Sequence, residues 1–293
     1  SARVHYAITD AGGRSPNVVQ PHASVYYVIR AEDTRQMRDL QERVMKIARG
    51  AALMTETELE IEFDGACAEV LPNEVLERTL EGVLQQLGPV PFDTADQLAA
   101  SEFAAGLDAR EIAASKRLAG WDVRDERALH DEIAPYLPEQ PRPQMTGSTD
   151  VGDVSWVVPT VQISSATAAL GTPFHAWQTV AQGKMPAAHK GMTHAAKMMA
   201  GTAIDLLEDA ELLAAAKADQ SDKPARGRGA GGGRLEIGPQ FLGLGDRGCD
   251  LLVLDQRGSH VAKQGVAVTS LAAQFAARHS MTHFSFSVRR EPV

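Results

Sequence analysis

The sequence predicts an α/β protein in two unequal parts: an α+β unit of β-β-α-β order, then helices packed about a short buried strand. Three observations carry this. "ELEIEF" (58–63) alternates strictly, with Leu59, Ile61 and Phe63 on one face and three glutamates on the other, the period-2 mark of a half-buried strand. Between residues 34 and 52, Met37, Leu40, Val44, Ile47 and Ala51 recur at helical spacing. "LPNEVLERTLEGVLQQLG" (71–88) carries Leu76, Leu80, Val83, Leu84 and Leu87 as an apolar stripe behind Asn73, a good N-cap.

The remaining segments follow in order. "RVHYAIT" (3–9) reads as a strand, "DAGGRSPN" (10–17) as a turn of breakers, and "VVQPHASVYYVIRA" (18–31) as a second strand with Pro21 near its start. Asp33 or Thr34 caps the helix that follows. Asp93 opens a polar, Ala-rich helix to about Ala105. Residues 106–147, with mixed charge and prolines, read as an exposed insertion. "TVQISSA" (160–166) is the short buried strand, and a helix runs from Pro186 through "AAKMMAGTAIDLLEDAELLAAAKA". The expected domains are therefore 1–70, 71–220 and an atypical linker and tail at 221–293. "SDKPARGRGAGGGR" (221–234) has linker composition. "LLVLD" (251–255) and "GVAVTSLAAQFAA" (265–277) can order locally, but nothing in the sequence attaches them to the preceding core.

Bulk properties narrow the function. The net charge of −9 argues against a nucleic-acid surface. Residues 221–293 hold ten Lys+Arg against six Asp+Glu, which leaves −13 on residues 1–220. Two cysteines, Cys67 and Cys249, are too few for a disulfide scaffold or a Cys-rich metal site. No stretch approaches the roughly 18 apolar residues of a membrane span. The expectation is a cytoplasmic protein without membrane or nucleic-acid partners.

Three constellations can carry chemistry. Ser148, Thr149, Asp150, Gly152 and Asp153 in "GSTDVGDVSW" can position a polar ligand, and equally fit an Asx-type turn and helix cap. His175 in "GTPFHAW" follows the buried strand, with Trp177 and His189 nearby. Zinc needs three or four protein ligands, and the chain has no HxH or HExxH. His189 and His194 are about 140° apart on a helix. Spacing alone thus favours a structural or substrate-facing His175. Asn17 and Arg30 bracket the second strand: an amide at a turn can donate to an oxyanion and an Arg suits a carboxylate, while a turn Asn and a surface Arg would look the same.

Four stretches together resemble the amidohydrolase group of the dinuclear-metal aminoacylase and carboxypeptidase family, peptidase family M-twenty. They are "RVHYAITDAGGRSPNVVQPHASVYYVIRA", "GAALMTETELEIEFDGACAEVLPN", "STDVGDVSWVVPTVQ" and "GTPFHAW…GK…AAHKGM…AAK", and the match covers about residues 2–218. The resemblance implies an α/β catalytic domain carrying an inserted α+β lid, or dimerisation, domain, of which the β-β-α-β unit is most. It implies hydrolysis of the amide bond of an N-acyl amino acid, an aroyl-glutamate for example, with two divalent ions, zinc or manganese.

By motif, His175 corresponds to the family's C-terminal metal-binding His. Asn17 and Arg30 correspond to the lid residues that hold the substrate's carbonyl oxygen and carboxylate, and Asp150 and Asp153 support the loop. An extended strand would separate Asn17 from Arg30 by roughly 40 Å. A homodimer through the lid resolves this, Asn17 reaching the partner's site while Arg30 serves its own; a paralogous subunit is the other partner the resemblance allows. The family's first metal ligand, bridging carboxylate, Glu-Glu pair with the general base and further His find no counterpart, and the chain has no Glu-Glu dipeptide. The lid's first strand and helix also lack one. The expectation is a C-terminal fragment, inactive alone, or a non-catalytic dimerisation or regulatory module.

Overall fold

The computed structural model describes residues 2–139, 147–222, 252–254, 260–262, 267–270 and 280–289. The N-terminal unit has the expected order: β1 (Arg3–Asp10), β2 (His22–Ala31), α1 (Thr34–Thr55) and β3 (Glu58–Cys67). Asp33 caps α1, its carboxylate accepting from the Gln36 amide at 2.8 Å. Glu56, in the left-handed conformation, closes the helix. The second strand begins at His22 rather than residue 18, because the breaker-rich stretch extends through Pro21.

β2 and β3 do not pair with each other. The strand order is β1-β2-β8-β3, where β8 (Ser280–Arg289) lies antiparallel to both neighbours. Two strands joined through a helix and separated by one strand form a split β-α-β arrangement. The centre of the sheet is thus filled from the region expected to stand apart. The reason is visible in "THFSFSV": Thr282, Phe284 and Phe286 are buried, with Phe284 only 1% exposed. Phe284 and Phe286 pack with Ile29, Val44, Leu40 and Ile61 beneath α1. The alternating His283, Ser285 and Ser287 fall on the opposite face. Period-2 alternation was the available signal; what the sequence does not show is which strands it joins.

The second part is built on α2 (Glu74–Leu87), α3 (Thr94–Ala104), α4 (Ala109–Leu118), α5 (Val151–Val157), β4 (Thr160–Ile163), α6 (Trp177–Gln182), α7 (Pro186–Glu208) and α8 (Ala210–Asp222). Asn73 caps α2, accepting from the Leu76 amide at 3.0 Å. Its side-chain amide donates 2.8 Å to the Ala216 carbonyl, so one fully buried residue ties α2 to α8. Asp93 and Asp96 make a reciprocal capping box on α3. The long helix expected from Pro186 breaks at Asp209, whose carboxylate caps α8 through the Glu211 and Leu212 amides. Leu76, Leu80, Val161, Ile163, Ala195, Met198 and Leu206 form the core. β4 pairs in parallel with β7 (Ala267–Ser270), followed by β5 (Leu252–Leu254) and its antiparallel neighbour β6 (His260–Ala262). The linker stretch beyond Asp222 lies outside the described residues.

Residues 106–139 are exposed along much of their length, as expected, but not throughout. Leu129 is fully buried and packs with Ala100, Ala128, Ala169 and Ala187. Part of the mixed charge that suggested exposure is gathered around one guanidinium. Arg127 pairs with Asp125 (2.6 Å), Asp131 (2.7 Å) and Glu132 (2.7 Å) and stacks 4.2 Å over Trp121, which itself stacks on His130. These contacts hold Asp125 down to about 2, the Arg127 side-chain hydrogen bond being the main cause.

α5 meets the end of β3 backbone to backbone. A Cβ on Gly152 would lie 1.9 Å from the Ala68 carbonyl oxygen, so only glycine permits this approach. Gly152→Ala is expected to lower unfolding stability by about 1–3 kcal/mol through overpacking, measured by urea denaturation; an unchanged midpoint would mean that the contact is not maintained in solution.

Candidate functional site

Three of the five sequence-derived site residues converge on the joint between the lid-like sheet and α5. Arg30 lies on β2 next to Ile29, which is fully buried toward α1, so alternation turns Arg30 to the opposite face. It pairs in register with Met281, and Met281 with Cys67, which places Arg30 and Cys67 on that same outer face, one strand apart. Asp153 accepts a 2.9 Å hydrogen bond from the Ala68 amide. Ser155 Oγ accepts from the Leu71 amide at 2.8 Å, and Trp156 Nε1 donates 2.9 Å to the Glu69 carbonyl. Glu69 in turn accepts from the Thr34 amide and hydroxyl, at 3.1 and 2.6 Å, at the start of α1. Residues 67–71 are therefore clamped from both sides.

Electrostatics report the same proximity. Burial pushes the Cys67 thiol above its ordinary value, and the Asp153 and Asp150 carboxylates add to this. A backbone hydrogen bond at Met281 and the Arg30 guanidinium act the other way. Asp153 is itself raised, first by burial and then by Asp150, against the Ala68 hydrogen bond. Asp150 sits at the N-cap position of α5 without a side-chain capping bond. Arg30, Cys67, Asp150 and Asp153 thus share one electrostatic environment. Cys67 was missed as a member because a lone thiol carries no spacing signal.

Asn17 and His175 lie elsewhere. Asn17 is exposed in the loop between β1 and β2, beyond the end where Asp10 pairs with Ser24; Arg30 is at the other end, opposite Arg3. The eight residue steps of β2 from His22 to Arg30 alone span roughly 26 Å. His175 is exposed in the left-handed conformation, φ 56°, which costs on the order of 1–3 kcal/mol for a residue other than glycine. Its loop is fastened from behind by Gln182. The Gln182 amide oxygen accepts from the Ala169 amide (2.8 Å), and its nitrogen donates to Thr172 Oγ1 (2.9 Å). Thr179 donates 2.7 Å to the Pro173 carbonyl. The loop so held presents His175 beside exposed Phe174 and Trp177.

The fit to a two-metal centre can be tested on the donors. Among the described residues no group of three or more His, Cys, Asp or Glu side chains is placed to hold a metal ion. His175 alone does not make a site, so no step through a metal is derived from these residues.

Comparison with curated proteins finds one of the subunits of p-aminobenzoyl-glutamate hydrolase from Escherichia coli (strain K12), 44% identical over 222 residues, which cover 72% of this chain and 46% of that protein. The chain is similar to that subunit over most of its own length. It spans about half the length of that relative. No protein-family model and no solved structure matches. Among the described residues no helix is long and apolar enough to cross a membrane.

The joint has a chemical readout independent of activity. At about pH 8, where an ordinary thiol near 8.5 is partly ionised, Cys67 should alkylate more slowly than in the denatured chain. Asp153→Asn, which keeps the acceptor for Ala68 but removes the charge, should speed the reaction, and Arg30→Ala should slow it. The rates are measured with iodoacetamide and read by mass spectrometry of the Cys67 peptide. Equal rates in all three proteins would dissolve the cluster.

Proposed function

We propose that this chain serves a hydrolase that cleaves the amide bond of an N-acyl amino acid such as p-aminobenzoyl-glutamate, and that it supplies the substrate-binding part of the site. The relationship over 222 residues carries this reading, and the family resemblance of the motifs around Asn17 and Arg30 supports it. Arg30 would clamp the carboxylate of the amino-acid half through its planar fork of donors. Asn17 would donate to the carbonyl oxygen as negative charge develops on it. The two divalent ions of the family resemblance, zinc or manganese, would need donors beyond the described residues, with His175 as one ligand.

The dimer belongs to this proposal. Asn17 and Arg30 stand at opposite ends of one hairpin, so sites shared between two subunits use both. The edge strand β1 supports it: Val4, Tyr6 and Ile8 are 42%, 68% and 66% exposed on a strand that, among the described residues, stands at the edge of its sheet. The relative's name designates one subunit of its enzyme, and a paralogous subunit would use the same edge.

Purified chain supplied with zinc or manganese is expected to show no turnover of p-aminobenzoyl-glutamate; chelator-sensitive turnover would overturn this. In an active assembly that contains the chain, Arg30→Ala should raise KM for substrates with a free carboxylate by roughly ten- to a hundredfold, since a charge-assisted contact stabilises by about 1.5–3 kcal/mol. The corresponding amides should be little affected. Asn17→Ala should instead lower kcat. Equal effects of Arg30→Ala on acid and amide substrates would remove the clamp from the proposal. If the chain is a non-catalytic module, neither variant changes KM or kcat while dimerisation persists.

A further inference from the structure

A second concave surface lies away from the joint, between the C-terminal end of α2 with the segment that follows it and one face of α7. It is a groove of about 320 Å³. Pro89 and Pro91 form one wall, and His189, Thr193, His194 and Lys197 belong to the other. Lys190, Thr193, His194 and Lys197 recur at helical i, i+3, i+4 and i+7 spacing and so make one stripe along α7. Among the described residues no carboxylate lines the groove, although the chain carries −9 overall. Lys190 is committed to Asp93 at 2.8 Å and to Asp96 at 2.5 Å. Lys197 is exposed and makes no ion pair among the described residues.

His194 distinguishes the groove from an ordinary basic patch. It is 6% exposed, and its Nε2 is buried without a hydrogen-bond partner. The Gly88 backbone acts in the sense that raises the ring's basicity, and a protonated ring presents a donor at both nitrogens, Nε2 included. Buried polar atoms are ordinarily satisfied.

We propose that this groove is a binding site for the oxyanion group of a small molecule, a carboxylate or a tetrahedral phosphate-like group. Lys197 supplies charge, Thr193 a hydroxyl donor and His194 an Nε2–H donor once the ring has taken up a proton. Burial and then Lys197 hold His194 below the ordinary imidazole value in the free chain. A bound anion opposes both effects, so binding and proton uptake are coupled. Lys190, with its Asp93 and Asp96 partners, and His189 are the other titratable groups at the groove. The α2 side contributes Leu87, Pro89 and Pro91 to the lining, none of which titrates.

The test is an imidazole NMR titration of the full chain at constant ionic strength, with sodium sulfate as the tetrahedral probe and sodium glutarate as the carboxylate probe. Sulfate keeps its charge across the range, so pH acts on the protein alone. A saturable shift of the His194 ring resonances is expected, tighter at about pH 6 than at about pH 8 by at most tenfold per unit, the limit for one coupled proton. Saturation by one probe only identifies which oxyanion the groove takes. Lys197→Met, an exposed substitution that leaves the core intact, should weaken binding by about tenfold, and His194→Gln should remove the pH dependence. No saturable shift with either probe overturns the proposal. So does a shift that Lys197→Met leaves unchanged, which would mark an adventitious ion only, or a pH dependence that survives His194→Gln.

Discussion

The backbone contact between Gly152 and Ala68 is the constraint on which the candidate site depends. A helix axis normally stands off a strand by the width of its side chains. Removing the Cβ at Gly152 lets α5 settle onto the end of β3. The Asp153 carboxylate can then accept the Ala68 amide, Ser155 can accept the Leu71 amide, and Trp156 can reach the Glu69 carbonyl. Each bond satisfies a polar backbone group that the approach would otherwise strand away from water. The same close approach brings Asp150 and Asp153 near Cys67 and Arg30, so the geometry of the joint and its electrostatics have one cause.

The lid-like sheet rests on a different constraint, which explains what the sequence did and did not reveal. Helix α1 carries the chain from β2 to β3 and leaves a gap one strand wide. Any sequence able to fill it must put large apolar groups under α1 and small polar groups on the outer face. Phe284 and Phe286, with Ser285 between them, meet that demand. Local period predicted β1, β2, α1 and β3, because those signals sit within a few residues of each other. The pairing of Tyr27 with Phe284 joins positions more than 250 residues apart, and no local pattern encodes such a partner. Residues 106–139 misled for the opposite reason. Arg127 and its three carboxylates look hydrophilic one by one, but they gather around one guanidinium stacked on Trp121, beside buried Leu129.

The site was legible in proportion to how much of it is strand register. Arg30 follows Ile29 in an alternating strand, so its outward direction was already determined by the sequence once the core face was known. His175 was not legible in this way. Its left-handed backbone depends on the Gln182 and Thr172 hydrogen bonds that fix the loop, and no residue near His175 announces them. His194 was read only as a helix residue off the face of His189. The structure agrees about the faces, since His189 is exposed and His194 buried, yet both border one groove, because the segment after α2 folds across the helix between them.

The geometry of the β1–β2 hairpin bears on how a substrate could be shared. An N-acyl amino acid separates its scissile carbonyl from its α-carboxylate by only a few bonds, whereas Asn17 and Arg30 are held apart by the whole of β2. Shortening that distance within one subunit would mean bending the strand, and the strand is paired along its length on both sides, to β1 and to β8. A ladder with two neighbours resists such bending far more than an isolated hairpin. The pairing therefore keeps the two ends of β2 apart within one subunit. The adjacent edge strand adds an exposed apolar row, Val4, Tyr6 and Ile8, beside that rigid hairpin.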